Sequence, residues 1–204
     1  MTKPIQRQLE IGSYRSAWFM CQRIRYALKD AVPGEKLNGT VEADETYVGG
    51  KRRGKGRGYT GNRTPVVALI ERGGHVRSQV VPKVTGAALD RLLRMHVETT
   101  ANLNTDESPL YTKPGTDSQE EYARRDKKTG RLATTNTAEG FFGNTKRSID
   151  GTHHHTSRKH LPLYLAEFDH KYNTREASDG ARTVIGIRKI AGKRLMLRGP
   201  RQEA

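Results

Sequence analysis

The sequence predicts an α/β fold in which a mixed sheet is flanked by helices and preceded by a short N-terminal helical segment. Three short runs rich in valine, isoleucine and threonine follow one another between residues 40 and 82, and a fourth begins near residue 102. The segments before and after these runs carry apolar residues at helical spacing. Strands and helices therefore share one main domain.

The charge of the chain indicates a polyanion as its partner. Thirty-seven Lys and Arg residues stand against 22 Asp and Glu residues in 204 residues, which leaves a formal net charge of +15. Nucleic acid is the expected partner of so basic a protein, with a membrane surface as the alternative. No apolar run approaches the roughly 18 residues of a membrane span, and no signal-peptide pattern opens the sequence. We therefore expect a cytoplasmic protein without a membrane partner.

The N-terminal segment carries one basic amphipathic helix. Between residues 13 and 30, Cys21, Ile24 and other apolar residues recur at helical spacing, which predicts a buried Cys21, while Arg25 and further basic residues take the other faces. Such a helix docks on the core or contacts DNA, and the sequence leaves both possibilities open. The break that follows predicts an N-terminal segment of residues 1–36, a main domain of residues 37–177 and a basic C-terminal tail of residues 178–204.

The main domain alternates strand patterns with helix patterns. The predicted elements, in order, are a strand from residue 40 to the glycines at 49 and 50, a hairpin across 65–82, a helix capped by Thr85, a strand over 102–107, a helix from Thr137 and a helix over 161–172. Residues 109–135 are polar and give no clear topology. No internal repeat is present.

Three acids occupy suggestive positions in this order of elements. Asp44 lies on the first strand, Asp106 at the end of the fourth, and Glu139 on a later helix. In a ribonuclease H-like architecture the first strand is central, the fourth lies beside it, and a later helix crosses them, so the three carboxylates converge. Converging carboxylates repel one another unless cations neutralise them. Oxygen ligands suit Mg2+ or Mn2+, and we expect two such ions and phosphodiester chemistry.

Lys146 joins this group through the helix that carries Glu139. It follows Glu139 by almost two helical turns, so both side chains share one face. A lysine there supplies a point charge to a phosphate near the scissile bond. Each of these residues taken alone could equally be an ordinary surface residue, and their order along a basic chain is what favours a site.

Basic residues elsewhere are candidates for contact with the phosphate backbone. The loop after the first strand combines glycines with cations and holds no acid, which suits phosphate contact, although a solvated loop without a partner is the alternative. The candidate DNA-binding residues are Lys51, Arg52, Arg53, Lys55, Arg57, Arg147, Arg158 and Lys159.

A histidine run near the end of the main domain invites a zinc hypothesis. Three consecutive histidines cannot all face one metal on a helix or strand, and no familiar spacing of zinc ligands completes the set. We therefore expect no zinc in this chain. His154 is a secondary candidate for contact with DNA or with the rim of the active site, and a solvated turn is equally possible.

The sequence resembles bacterial insertion-sequence transposases of the DDE type, specifically the ISXO-like transposase family. The resemblance covers about residues 13–177 and rests on the segments VEADETYVGGK, PVVALIERGG, TDES, TNTAEGFFGNTKR and GTHHHTSRKHLPLYLAEFDHKYNTR. It implies that Asp44, Asp106 and Glu139 are the metal-binding triad and that Lys146 matches the family's basic residue after the glutamate. Some members use asparagine in place of the third acid, which makes Asn136 a secondary candidate.

The resemblance also implies an activity and its partners. These are Mg2+-dependent cleavage of double-stranded DNA at the ends of an insertion sequence, transfer of the freed 3'-hydroxyl into target DNA, and a homodimer that holds two ends. Here the zinc ribbon of full-length members is missing, residues 1–36 resemble the remnant of a helix-turn-helix, and the stretch 107–135 is short. The alternatives are therefore an inactive DNA-binding remnant, a ribonuclease H-like nuclease without strand transfer, or a structural RNA binder.

Overall fold

The structure, a computed structural model, describes residues 2–29, 35–49, 63–105, 135–153 and 156–196. A π-helical turn, Ile149–His153, follows the helix Asn136–Ser148. The described elements in chain order are α1 (Thr2–Gln8), α2 (Tyr14–Leu28), β1 (Thr40–Val48), β2 (Thr64–Glu71), β3 (Val76–Val80), α3 (Gly86–His96), β4 (Asn102–Thr105), α4 (Asn136–Ser148), α5 (Leu161–Asn173) and α6 (Asp179–Arg188).

The strands of the described residues form one mixed sheet with β1 in its interior. The strand order is β3, β2, β1, β4. β1 pairs antiparallel with β2 and parallel with β4, and β2 pairs antiparallel with β3. Three consecutive antiparallel strands with a parallel fourth strand beside the first give a ribonuclease H-like arrangement. The predicted fold class, with its helical segment in front of the sheet, is confirmed.

Helices cover both faces of this sheet. On one face, Val41 of β1 shares an apolar cluster with Leu92 of α3. On the other face, Ala68 of β2 shares a second cluster with Phe142 of α4 and Leu165 of α5. β2 is buried along nearly its whole length because a helix meets each of its faces. Side chains alternate along a strand, so the even-numbered residues of β1 point toward α4 and the odd-numbered residues toward α3.

Local signals in the sequence predicted most element ends. Gly49 follows β1 with a φ of +85°, and Gly73 lies in the β2–β3 turn with a φ of +73°. Glycine adopts this left-handed conformation without the steric cost that other residues meet. The Thr85 hydroxyl caps α3 by accepting a hydrogen bond from the Ala88 N–H. The predicted hairpin and the predicted Thr85 cap are confirmed, and the structure adds that Ser13 caps α2 in the same way.

The helix α2 docks on the core, and its buried face differs from the predicted one. Arg25, which was expected on a solvated face, is buried, and its Nε donates to Glu167 Oε2 of α5 at 2.7 Å. The Arg25 guanidinium also lies 4.0 Å from the ring centroid of Tyr164. Ile24, which was expected on the apolar face, is 48% exposed. Cys21 is buried, as predicted. The buried ion pair therefore sets the rotation of α2 about its axis.

Two helices near the ends of the chain were not predicted. α1 precedes α2, and no residue of α1 is buried. The segment of residues 178–204, expected as a basic tail, begins with α6, whose first turn is capped by the Ser178 hydroxyl. The uninterpretable stretch 109–135 falls almost entirely outside the described residues, as does the end of the strand predicted over 102–107.

Side chains of α5 close the outer edge of β3. The Val76 N–H donates to Asn173 Oδ1 at 2.7 Å, and Asn173 Nδ2 donates to the Val76 carbonyl at 3.1 Å. One turn earlier, the Asp169 carboxylate accepts the Ser78 N–H at 2.9 Å and the Ser78 hydroxyl at 2.6 Å. An open strand edge is a template for pairing with another chain. These contacts satisfy that edge from within the same domain and fasten α5 to the sheet.

We predict that Asn173→Ala destabilises the protein by about 1–3 kcal/mol, because the buried Val76 N–H loses its acceptor. Urea denaturation measures this change. Asn102→Ala, at an exposed position that starts β4, is the matched control and is expected to change stability by less than about 0.5 kcal/mol. Equal stability of the two variants would contradict the role assigned to the Asn173 amide.

Candidate catalytic carboxylate site

Asp44 lies midway along β1, on the face of the sheet that α4 covers. It pairs with Ala68 of β2 and is half-buried. Its Oδ1 accepts a hydrogen bond from the Glu45 N–H at 2.7 Å. Glu45 belongs to the opposite face of the strand because side chains alternate. Of the two neighbouring acids, Asp44 is therefore the one directed toward the helix that carries Glu139.

The neighbouring acid on the same face, Glu42, binds the start of α4. Its side chain is 1% exposed. Its Oε2 accepts the Thr137 N–H at 2.8 Å and the Ala138 N–H at 3.0 Å. Its Oε1 accepts the Thr137 hydroxyl at 3.0 Å and Arg72 Nε at 2.6 Å. The first N–H groups of a helix have no partner within the helix, so a strand residue caps α4 from outside.

Glu139 follows this capped turn directly. It lies in the first turn of α4 and is exposed, whereas Ala138, Phe141 and Phe142 form the buried face. Lys146 lies on the same helix, is exposed, and shares the flank of Glu139 through the spacing of almost two turns. The helix predicted from Thr137 begins at Asn136, the secondary candidate, which is exposed at its first position.

The third acid, Asp106, lies outside the described residues, but β4 is described up to its neighbour in the sequence. Thr105 is the last residue of β4 and pairs in parallel register with Ala43 of β1. Ala43 directly precedes Asp44, and Thr105 directly precedes Asp106. β1, which contains Asp44, and β4, which ends one residue before Asp106 in the sequence, therefore run side by side in the same direction.

A comparison with protein families identifies the domain that contains these residues. The chain matches the ISXO2-like transposase domain over residues 36–173. The chain belongs to the ISXO2-like transposase family. No curated protein sequence matches it. Membership gives the chain a transposase domain, implies DNA binding, and indicates an enzyme of the nucleotidyl-transfer class; such transposases typically use divalent metals.

The predicted DNA contacts of the transposase domain fall into two groups. Arg147 on α4 and Arg158 and Lys159 before α5 are exposed, and Arg147 Nη2 donates to the Asn144 side chain at 2.5 Å. The other predicted contacts lie outside the described residues, and they are Lys51, Arg52, Arg53, Lys55, Arg57 and His154. Arg147, Arg158 and Lys159 are accessible to a phosphate, and their contact with DNA stays a prediction.

The side chains of the candidate site suit a hard divalent ion. Asp44 and Glu139 offer carboxylate oxygens, which are the ligands that Mg2+ and Mn2+ prefer. Among the residues that the structure describes, no group of three or more His, Cys, Asp or Glu side chains is close enough to hold a metal ion. Two of the three predicted ligands belong to that part of the chain, and Asp106 does not.

The surface around Asp44 and Glu139 is not part of the enclosed space found elsewhere in the domain. A cavity of about 380 Å³ lies between α3, the β2–β3 hairpin and α5, and its lining includes Arg77, His96 and Asp169. Neither Asp44 nor Glu139 lines it. In the described part of the chain, no helix is long and apolar enough to cross a membrane.

The described member of the histidine run, His153, is a packing residue. Its ring contacts Tyr164 edge to face at a centroid distance of 4.8 Å and lies 6.2 Å from Phe168. Burial lowers the pKa of His153 to about 4; the nearby Glu167 opposes this shift and Arg25 adds to it. The ring is therefore neutral at pH 7, and a neutral ring offers no charge to a phosphate.

We predict that the metal-free protein loses stability as the pH falls from 6.5 toward about 4. In this window the unfolded chain binds a proton at His153 and the folded chain does not, so acid favours unfolding. His153→Gln should weaken this pH dependence, measured as the free energy of unfolding in urea at several pH values. His75→Gln, in the exposed turn before β3, should keep the slope of the wild type. If the unfolding free energy of His153→Gln varies with pH as steeply as that of the wild type, the lowered pKa of His153 is not its cause.

Proposed function

We propose that the protein is a DDE-type DNA transposase in which Asp44, Asp106 and Glu139 hold two divalent cations, Mg2+ or Mn2+. The parallel register of β1 and β4 is the observation that carries this proposal, because Thr105 pairs with Ala43. Each of these residues is followed in the sequence by one of the aspartates. The capped start of α4 supports the third member of the set, since Glu139 follows Ala138, which donates to Glu42.

Two of the proposed ligands suit different tasks. Asp44 lies on a strand with neighbours on both sides, so its backbone is rigid. Glu139 is exposed on a helix, where its longer side chain can adjust to a substrate. The bound cations would polarise a phosphate oxygen and lower the pKa of the attacking water or 3'-hydroxyl. The carboxylates would be the ligands of these cations and would supply the negative charge that holds them at the site.

The basic side chains would position the DNA strand. Lys146 is exposed on the flank of Glu139, where an ammonium group would bind a phosphate next to the scissile bond. Arg147, Arg158 and Lys159 are exposed and would add backbone contacts, which position DNA without reading its sequence. The predicted contacts between Lys51 and Arg57, which lie outside the described residues, would add further cations for the DNA backbone. A homodimer would supply one site for each of two element ends.

We predict that Asp44→Asn and Glu139→Gln each reduce cleavage of terminal-repeat DNA in Mg2+ by at least about 1,000-fold, since a lost ligand removes several kcal/mol of charge stabilisation. The assay separates cleaved from joined products of labelled DNA. Glu45→Gln is the matched control, because it removes the adjacent carboxylate on the opposite face of β1. It should retain most of the activity.

The same assay distinguishes the alternative functions. Salt-dependent DNA binding without cleavage in Mg2+ or Mn2+ would identify an inactive DNA-binding remnant. Cleavage without joined products would identify a nuclease without strand transfer, and preference for RNA over duplex DNA at equal salt would identify an RNA binder. Full activity in Asp44→Asn would exclude the proposed chemistry altogether.

A further inference from the structure

We infer that Glu42 is a positioning residue of the carboxylate site, which fixes the first turn of α4 on β1 and thereby holds Glu139 in place relative to Asp44. This inference rests on the proposed function, in which Asp44 and Glu139 share the cations. The Glu42 side chain is 1% exposed and accepts an N–H group from the start of α4. It therefore acts through the helix that it caps.

Glu42 uses both carboxylate oxygens for this contact. Oε2 accepts two consecutive N–H groups, those of Thr137 and Ala138, at 2.8 and 3.0 Å. Oε1 accepts the Thr137 hydroxyl and the Arg72 guanidinium, at 3.0 and 2.6 Å. Four donors around one carboxylate define its orientation, and a carboxylate at a helix N-terminus also interacts favourably with the helix dipole.

No local residue replaces this cap. The residue at the N-cap position of α4, Thr135, makes no side-chain hydrogen bond to the helix. The usual solution, a Ser, Thr, Asp or Asn that caps its own helix, is present in α2, α3 and α6. The first turn of α4 is instead held by a residue 95 positions earlier in the chain. The cap thus fixes a tertiary distance as well as a helix end.

The other side of Glu42 is tied to the β2–β3 hairpin. Arg72 follows β2, and its backbone N–H donates to the Thr40 carbonyl at the start of β1 at 2.9 Å. Its side chain then crosses to Glu42. The carboxylate therefore lies between the rigid end of the hairpin and the helix. A carboxylate so deeply buried is stable only with such partners, and the loss of one partner is strongly destabilising.

The spacing of these residues explains why a shift would reach the site. Glu42 and Asp44 are two residues apart on one face of β1, about 7 Å along the strand. Ala138, which donates to Glu42, is joined directly to Glu139. A displacement of the first turn of α4 therefore moves Glu139 against Asp44 without an intervening flexible segment. Misplacement by about 1 Å is enough to reduce catalysis by about 100-fold.

The test uses Glu42→Gln in the full chain and measures Mn2+ binding as well as DNA cleavage. Gln keeps the size of the side chain but replaces one acceptor oxygen by a donor, which opposes the N–H groups of α4. We expect Mn2+ affinity, followed by electron paramagnetic resonance without DNA, to fall about 10-fold or more. We expect kcat for cleavage to fall about 10- to 100-fold while KM for DNA stays within about 3-fold, because Glu42 is buried.

Glu167→Gln is the matched control. Glu167 is also a buried carboxylate that accepts hydrogen bonds from two cations, Arg25 at 2.7 Å and Lys171 at 2.5 Å. It joins α2 to α5 and contacts no residue of α4 among the hydrogen bonds of the described chain. Glu167→Gln should lower Tm as Glu42→Gln does, yet leave Mn2+ affinity at the wild-type value. A general loss of stability would instead affect both variants alike.

Thr137→Val carries the test if Glu42→Gln does not fold. It removes the hydroxyl donor at 3.0 Å and keeps both the carboxylate and the backbone donors. We expect a smaller loss of Mn2+ affinity and kcat in the same direction, with recovery in Thr137→Ser. If Asp44→Asn is inactive but Glu42→Gln keeps the Mn2+ affinity and kcat of the wild type, the inference is overturned. Where only Thr137→Val folds, the same result in that variant overturns it. Activity and Mn2+ binding in Asp44→Asn would overturn the proposed function, and the inference with it.

Discussion

The carboxylate of Glu42 lies on an interior strand with 1% of its side chain exposed, and four donors from α4 and the β2–β3 turn surround it. An ionised group in such a position is costly unless each oxygen is satisfied, so strand, hairpin and helix depend on one another at this point. The apolar contacts between Ala68 and the aromatic face of α4 press the helix onto the sheet. Glu42 adds what apolar packing lacks, which is a directional contact that sets where the helix starts.

The two faces of β1 present side chains with different roles. The odd-numbered residues Val41 and Ala43 of β1 pack under α3 in an apolar cluster. The even-numbered residues include two acids. Glu42 caps α4, whereas Asp44 is half-buried. The helix α5 is fastened to the outer strand by Asp169 and Asn173, so the whole framework around β1 is held by side-chain contacts to the backbone as well as by packing. The proposed site would need this rigidity, because three converging carboxylates repel one another unless cations are bound.

Sequence patterns that span only a few residues predicted the fold well. Side-chain contacts between residues far apart in the sequence were not predicted. The strand Thr40–Val48, the hairpin and the cap at Thr85 follow from alternation, glycine and threonine, which act locally. The burial of Arg25 and Glu42 could not be predicted, because an isolated charge looks like a solvated residue until its distant partner is known. Glu42 gave one usable signal, an acid on the same face as Asp44 within a strand. Asp106 lies beyond the described part of β4, so its place in the site stays a prediction.

Whether Asp44, Asp106 and Glu139 share a bound cation is tested most directly by metal-directed cleavage of the polypeptide. Fe2+ is bound in place of Mg2+, and the hydroxyl radicals that it generates with ascorbate and peroxide cut the polypeptide close to the metal. We predict cuts near residues 44, 106 and 139 in one reaction. Excess Mg2+ should suppress these cuts, and Asp44→Asn should abolish them. Cuts confined to other segments, such as the histidine run, with none near Asp44 and Glu139, would contradict the shared site.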